Sequence, residues 1–206
     1  MRTRIKICGI TQPEDGLQAA LLGADAIGLV FYDKSPRAVT VSTARAIVDA
    51  LPPFTTVTAL FFNSVADDVR TVLAGLAVDM LQFHGNEPPE FCRAFDLPYI
   101  KAFAGEYAAK HPDLPNEYHD AKGWLFDSQA QDSAGGSGHA FTWGQLPKEF
   151  ARPVILAGGL TPENVAAAIK QVNPYAVDVS SGVEASPGKK DLAKMRDFIN
   201  GVNSVG

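Results

Sequence analysis

The sequence predicts an α/β fold, a single-domain (β/α)8 barrel of the TIM type with eight parallel strands over residues 1–206. Short β-branched or apolar runs alternate with helical patterns along the whole chain, and there are eight of each. The 206 residues give about 26 residues per unit, which is the compact end of the range for this barrel. A doubly wound open sheet would show the same alternation. The count of eight favours the barrel.

The predicted strands are short runs rich in β-branched and apolar residues, with turn-forming or polar residues after most of them. The first of them, from Arg4 to Cys8, alternates charged and apolar side chains, as a strand with one apolar face does. In order, the strands cover residues 4–8, 26–31, 55–62, 79–83, 99–103, 123–127, 153–157 and 176–180.

The segments between these strands have helix signals. Thr11 is the expected N-cap of a helix that starts at about Pro13, and Ser42 and Ser64 are the expected caps of the next two. The stretch 105–122 contains prolines and histidines and predicts one irregular helix. After the first, the helices cover residues 42–50, 64–73, 88–95, 105–122, 143–146, 162–171 and 191–202.

Composition excludes several classes of protein. A chain that is 46% hydrophobic and 20% charged folds into a globule, and 18 glycines and 14 prolines rule out a long coiled coil or a plain helical bundle. A net charge of −5 does not favour binding to the negatively charged backbone of a nucleic acid. No apolar run approaches the roughly 20 residues that span a bilayer, and no signal-peptide core follows the N-terminus. We expect a cytoplasmic protein with no membrane and no nucleic-acid partner.

Two cysteines, Cys8 and Cys92, cannot form a disulfide framework, which is consistent with a reducing compartment.

In a (β/α)8 barrel the reacting groups lie at the carboxyl ends of the strands. Those positions are polar or glycine-rich in this chain, whereas the strands are apolar and their other ends have no comparable set. They are Cys8, the loop 31–37, Asn63, His84, Lys101, Asp127, Gly158, Gly159, Ser180, Ser181 and Gly182.

The loops after the last two strands predict a phosphate site. Gly158 and Gly159 follow the seventh strand, and Ser180, Ser181 and Gly182 follow the eighth. Glycines let backbone N–H groups approach a phosphate closely, and serine hydroxyls donate further hydrogen bonds. Either loop alone would also suit a simple turn. Both together occupy the usual phosphate position of this fold.

Cys8 and Asp127 form a candidate acid–base pair, because each ends a strand and can face the barrel mouth. A thiolate accepts a proton when its pKa is lowered, and a carboxylic acid donates one when its pKa is raised. From these residues alone, Cys8 could equally be a small buried core residue, and Asp127 a loop cap or an ion-pair partner.

The remaining motifs give no sign of a metal or a cofactor. The four histidines are scattered, so no metal is expected, although His84 could line the site. No Walker loop or nucleophile elbow is present. The segment 128–139 has low hydrophobicity and predicts a mobile loop, in which Gly135, Gly136, Ser137 and Gly138 suit the hinge of an active-site lid.

Taken together, short motifs along nearly the whole chain resemble the phosphoribosylanthranilate isomerase family, whose members are (β/α)8 enzymes of tryptophan biosynthesis. Small departures are Phe83, where leucine is common, and Ser137, where threonine is common. The motifs are Lys6-Ile7-Cys8-Gly9-Ile10-Thr11, Ser35-Pro36-Arg37, Gln82-Phe83-His84-Gly85, Leu125-Phe126-Asp127, Gly135-Gly136-Ser137-Gly138 with Phe141 and Trp143, Leu156-Ala157-Gly158-Gly159-Leu160 and Asp178-Val179-Ser180-Ser181-Gly182-Val183-Glu184.

The resemblance implies an Amadori rearrangement of N-(5-phosphoribosyl)anthranilate without a metal or cofactor. Asp127 would be the general acid that opens the ribose ring, and Cys8 the general base that removes the C2′ proton. Arg37 would contact the anthranilate carboxylate, and the last two loops would hold the 5′-phosphate. The expected partner is therefore a small phosphorylated molecule, bound by a monomer or a homodimer.

Three alternatives stay open. A metal-using pentose-phosphate epimerase would need paired histidine and carboxylate ligands at strand ends, which are not found. Indole-glycerol-phosphate synthase would need a catalytic lysine and glutamate set, for which only Lys101 is available. A non-catalytic barrel that binds a phosphorylated ligand would have no need of both Cys8 and Asp127.

Overall fold

Eight parallel strands close into a barrel in the computed structural model, which describes residues 2–105, 113–127, 143, 146 and 150–205. Each strand pairs with its neighbours in chain order, and the first also pairs with the last. An open sheet would leave the first and last strands unpaired, so the doubly wound alternative is excluded. The strands are β1 (Arg4–Cys8), β2 (Ala26–Phe31), β3 (Thr56–Phe61), β4 (Met80–Phe83), β5 (Tyr99–Ala104), β6 (Gly123–Asp127), β7 (Val154–Leu156) and β8 (Ala176–Val179).

Helices follow the strands as the alternation predicts. They are α1 (Pro13–Leu22), α2 (Val41–Asp49), α3 (Ala66–Gly75), α4 (Pro89–Arg93), α5 (Val165–Val172) and α6 (Leu192–Asn203). The irregular helix predicted over 105–122 is tested only in part: residues 106–112 lie outside the described residues, and the described part contains a 3₁₀ helix, Leu114–Tyr118. The short helix predicted over 143–146 lies largely outside the described residues.

The three predicted helix caps are wrong by one or two positions. The N-cap of α1 is Gln12, and the Thr11 hydroxyl instead donates a hydrogen bond to the Gly188 carbonyl. Thr40, not Ser42, caps α2, its hydroxyl oxygen accepting from the Thr43 backbone N–H at 3.1 Å. The cap position of α3 is the residue after Ser64. Several capping residues lie close together in these loops, and propensity alone does not choose among them.

Side chains of the strands alternate between two apolar regions. Ile5 and Ile7 of β1 pack with the helices in the main core, whose largest buried side chains include Trp124 and Phe198. The barrel interior has a separate apolar cluster on β5 to β8 and on the residue after β7: Ile100, Ala102, Leu125, Ile155, Ala157 and Ala176. Because the interior is filled with side chains, only the carboxyl ends of the strands leave room for a ligand.

A two-stranded hairpin that the sequence analysis missed follows β8. A short 3₁₀ helix (Ser181–Val183) leads into β9 (Glu184–Ser186), which pairs antiparallel with β10 (Lys189–Lys190). Gly188 turns the chain with a φ of 82°, a left-handed conformation that favours glycine. The hairpin brings Lys190 back beside Glu184 at the barrel mouth.

None of the helices in the described part of the chain has the length and hydrophobicity that crossing a bilayer requires.

Candidate active site

A pocket of about 820 Å³, its open mouth included, lies at the carboxyl ends of the strands. The lid residues Gly135, Gly136, Ser137 and Gly138 lie outside the described residues. The predicted site residues that line the pocket are Cys8, Arg37, His84, Asp127, Gly158, Gly159, Ser180, Ser181 and Gly182.

Cys8 ends β1 with its side chain in the barrel interior, where it packs with Val30 and Leu60 and remains 7% exposed. It pairs in register with Gly28 of β2. A Cβ atom on Gly28 would stand 2.7 Å from the Cys8 sulfur, so only glycine leaves the thiol its place. Burial raises the pKa of the Cys8 thiol, and the positive charge of Lys6 opposes that rise.

A buried ion pair lies on the inner face of the barrel beneath Cys8. Lys6 Nζ of β1 is 2.8 Å from Asp178 Oδ2 of β8, and both side chains are 6% exposed. The other oxygen of Asp178, Oδ1, is buried without a hydrogen-bond partner among the described residues, and Asp178 lines the pocket. Burial lowers the pKa of Lys6, but the charges of Asp178 and Cys8 outweigh it, so the pKa is raised and Lys6 stays an ammonium.

Asp127, at the end of β6, faces His84 from the loop after β4. His84 Nε2 is 3.5 Å from Asp127 Oδ2, and the two side chains are 10% and 15% exposed. The amide nitrogen of Gln82 is 3.1 Å from His84 Nδ1. His84 and Asp127 thus lie beside each other in the lining of the pocket.

The two glycine-containing loops meet at one side of the pocket. Gly158 and Gly159 have φ values of 79° and 66°, a left-handed conformation in consecutive residues. A Cβ atom on Gly182 would stand 1.9 Å from the carbonyl oxygen of Leu160, so the loops after β7 and β8 touch through their backbones. Asn164 braces the first loop by donating to the Gly159 carbonyl at 2.8 Å.

Arg37 is 8% exposed and forms an ion pair with Glu184. Its Nε and Nη2 each donate to a carboxylate oxygen of Glu184 at 2.7 Å. Lys190 Nζ donates to Glu184 Oε1 at 3.0 Å and to the Ser180 carbonyl at 3.2 Å. Two cations therefore share one carboxylate, which leaves a net positive charge beside the second glycine-containing loop.

Lys101 and Asn63 do not line the pocket: Lys101 lies within β5 rather than at its end, and Asn63 lies in the loop after β3. Lys101 Nζ is 2.9 Å from Glu87 Oε2, and Glu87 in turn accepts from the Asn63 backbone N–H at 2.7 Å. The Asn63 side chain accepts from the Asn86 backbone N–H at 2.7 Å. These residues hold the loops after β3 and β4, so Lys101 gives no support to a catalytic lysine of the synthase type.

Sequence reasoning missed four charged residues of the site: Lys6, Asp178, Glu184 and Lys190. A signal was available for the first two, because Asp178 is the one charge of the apolar strand β8 and Lys6 shares with Cys8 one face of β1. No local signal was available for Glu184 and Lys190, whose partners are set by the hairpin. Among the described residues no group of three His, Cys, Asp or Glu side chains is arranged to hold a metal ion.

Comparisons with known proteins agree with this geometry. The family model described as N-(5'phosphoribosyl)anthranilate (PRA) isomerase matches residues 5–201. An N-(5'-phosphoribosyl)anthranilate isomerase of Nitrosococcus oceani is 52% identical over 205 residues and covers 100% of both chains.

Solved structures give the same result. A phosphoribosyl anthranilate isomerase in complex with reduced 1-(o-carboxyphenylamino)-1-deoxyribulose 5-phosphate superposes with a TM-score of 0.82, at 37% identity over 98% of this chain and 99% of that one. Monomers generated from the dimeric isomerase of Thermotoga maritima give 0.80 at 35% identity, with the same coverage. The chain therefore belongs to the N-(5'-phosphoribosyl)anthranilate isomerase family.

Proposed function

We propose that the protein is an isomerase of tryptophan biosynthesis that converts N-(5-phosphoribosyl)anthranilate into 1-(2-carboxyphenylamino)-1-deoxyribulose 5-phosphate. The observation that supports this most directly is the content of one pocket. A thiol from β1, a carboxyl group from β6 and two touching glycine-containing loops line it together. An aminoaldose phosphate needs this combination: an acid, a base and an anion site.

In the proposed mechanism Asp127 is the general acid and Cys8 the general base. Asp127 in its acid form protonates the furanose ring oxygen, the C1′–O bond breaks, and the nitrogen lone pair forms an iminium. The iminium acidifies C2′, and the Cys8 thiolate removes that proton to give an enolamine. Protonation at C1′ together with loss of the C2′ hydroxyl proton then yields the ketone. The iminium itself takes up the electrons, so the proposed reaction uses no metal or cofactor.

The phosphate is proposed to bind at Gly158 and Gly159 and at Ser180, Ser181 and Gly182. Left-handed glycines point successive N–H groups outward, and the N-terminus of the 3₁₀ helix adds a favourable dipole. Lys190, buried behind Ser180, contributes positive charge without occupying the pocket.

Arg37 is proposed to bind the anthranilate carboxylate through one edge of its guanidinium. Glu184 accepts hydrogen bonds from Nε and Nη2. A guanidinium has five N–H donors, so the edge formed by Nη1 and the second hydrogen of Nη2 suits a second carboxylate in bidentate geometry. The contact with Glu184 fixes the orientation of the group in advance.

Location and assembly are part of the proposal. We place the enzyme in the cytoplasm, as a monomer or a homodimer with no nucleic-acid or membrane partner. A solved relative is described as dimeric, and light scattering measures the mass directly.

The acid and base assignments are tested by fluorescence, following the loss of phosphoribosylanthranilate. Asp127→Asn and Cys8→Ala are each expected to lower kcat by a factor of roughly 10² to 10⁴, because each removes one proton-transfer group. Cys92→Ala is the matched control, since this second cysteine is fully buried on α4 and does not line the pocket. It should keep wild-type kcat.

Ligand binding separates loss of chemistry from loss of the pocket. Asp127→Asn is expected to bind a product analogue with unchanged affinity, and saturating analogue should block alkylation of Cys8. Undiminished turnover in Asp127→Asn, or alkylation at the same rate with and without analogue, would refute the corresponding assignment.

A further inference from the structure

The Lys6–Asp178 ion pair has no role in the mechanism above, yet it lies in the barrel interior. Several other inward positions of the barrel are apolar, as at Ile100 and Leu125. Moving two charges out of water is unfavourable, and apolar side chains of similar size replace buried ion pairs without loss of stability in many proteins. Packing alone therefore gives no reason for the pair.

Lys6 lies close to the Cys8 sulfur. The two residues are two apart on β1, so both side chains point into the barrel. The position that a Cβ atom on Gly28 would occupy is 2.7 Å from Cys8 Sγ and 3.0 Å from Lys6 Nζ, which limits the distance between sulfur and nitrogen to about 5.7 Å. The missing side chain of Gly28 thus makes room for both groups.

We propose that Lys6 is a positioning residue for the proton transfer, whose ammonium, fixed by Asp178, is the counter-ion of the Cys8 thiolate. The proposal depends on the isomerase function proposed above in one respect only, which is that the thiolate acts as a base. An opposite charge within about 4–6 Å favours the ionised form of its neighbour. The ammonium therefore increases the fraction of Cys8 that can accept the C2′ proton.

Other charges act on the same sulfur, and the test has to separate them from Lys6. Asp178 disfavours the thiolate because it has the same sign, whereas Lys190 of β10 favours it. Asp127 and His84 also line the pocket, and the Arg37 side chain packs against Gly9, the residue after Cys8. Substitutions at the two ends of the ion pair should thus have opposite effects, which a purely structural role would not produce.

The test is the pH dependence of alkylation of Cys8 by iodoacetamide in the full-length protein. Cys92→Ser serves as the parent, so that Cys8 is the single thiol in the chain. In that parent, Lys6→Met is expected to raise the midpoint of alkylation by one pH unit or more, and Asp178→Asn to lower it. Each unit is a tenfold change in thiolate at neutral pH. Equal midpoints, or shifts in the same direction, would overturn the proposal.

A second comparison decides the question if Lys6→Met alone fails to fold, as judged by circular dichroism. Lys6→Met/Asp178→Asn has no unpaired buried charge, and its midpoint should lie above that of Asp178→Asn. The same midpoint in both proteins would refute the counter-ion role. None of these titrations uses substrate, so they test the role of Lys6 even if the isomerase assay is negative. Conversely, midpoints that do not shift as expected would refute the role of Lys6 and leave the isomerase function unaffected.

Discussion

At the scale of single residues, Gly182 is the position where one added carbon atom has the most direct consequence. A Cβ atom there would meet the Leu160 carbonyl oxygen at 1.9 Å, far inside van der Waals contact. The obstacle is backbone, which has no alternative rotamer. A substitution must therefore move the loop after β7 away from the loop after β8, and the proposed phosphate site lies between them.

Gly182→Ala is expected to raise KM roughly tenfold or more while kcat changes less, because phosphate contacts fix the substrate rather than carry out the chemistry. Steady-state kinetics and the inhibition constant of inorganic phosphate measure the effect. Gly23→Ala is the control: its φ of 107° makes alanine unfavourable there, but no atom lies within 4 Å of the added carbon. It should lose about 1 kcal/mol of stability and keep its KM. A normal KM in Gly182→Ala would exclude the phosphate site proposed for these loops.

At the scale of elements, strands were easier to predict than helix ends. β1 and β6 have the predicted bounds, because alternation or an apolar run ending in a polar residue marks both limits. Helix α5 begins at Val165, three residues later than predicted, because the Asn164 side chain accepts from the Thr161 N–H at 2.8 Å and holds the intervening residues as a turn. The hairpin of β9 and β10 was missed since strands of three and two residues show no periodicity.

The loops after β3 and β4 are held by one buried pair, which makes a second prediction possible. Lys101→Met leaves the Glu87 carboxylate buried and unpaired, with an expected loss of about 3–5 kcal/mol in the free energy of unfolding. Urea denaturation measures it. Lys101 also donates to the Gly85 carbonyl, but it touches no pocket residue that is proposed to react. The kcat of the folded variant should therefore stay within a few-fold of wild type.

The double variant Lys101→Met/Glu87→Gln removes both charges and should recover part of the stability that Lys101→Met loses. If Lys101→Met instead abolishes turnover at unchanged stability, the lysine acts on substrate, and the synthase-type interpretation returns.

At the scale of the whole molecule, stability depends on pH through contacts between distant segments. Burial works to raise the pKa of Glu184, but the hydrogen bonds from Arg37 and the charge of Lys190 outweigh it, and the pKa lies below its ordinary 4.5. A lowered pKa in the folded state stabilises the protein above about pH 4.5, and this contribution disappears as the pH falls through the folded-state value.

Between pH 7 and pH 3, wild type is therefore expected to lose more unfolding free energy than Glu184→Gln, whose side chain does not titrate. Urea denaturation at both pH values gives the decrease in unfolding free energy for each protein. These decreases are compared, rather than the absolute values, because the variant is already less stable at pH 7. Glu117→Gln, at an exposed position, should lose as much as wild type. A loss in Glu184→Gln equal to that of wild type would show that this carboxylate does not contribute.

The same long-range contacts mark the limit of sequence-based prediction. The closeness of Cys8 and Asp127 follows from barrel topology, because both end strands at the same rim. The ion pair between Arg37 and Glu184 does not follow from topology, since 147 residues separate the two. The residues around Arg37 would look the same if it were a surface arginine. Lys6 and Asp178 are 172 residues apart. Alternation predicted the direction of their side chains, but only the register of β1 with β8 made them partners.

That register has a consequence for the protein while it is being made. Chains emerge from the ribosome from the N-terminus, and long-range strand pairing forms late. A nascent chain that ends before Ala176 contains Cys8 and Asp127 but lacks Asp178, the hairpin and the second glycine-containing loop. The first strand is thus synthesised before the other seven strands of the barrel and is the last to find both of its neighbours. Activity should therefore be absent from every ribosome-bound fragment and should begin only when the final strand closes the barrel.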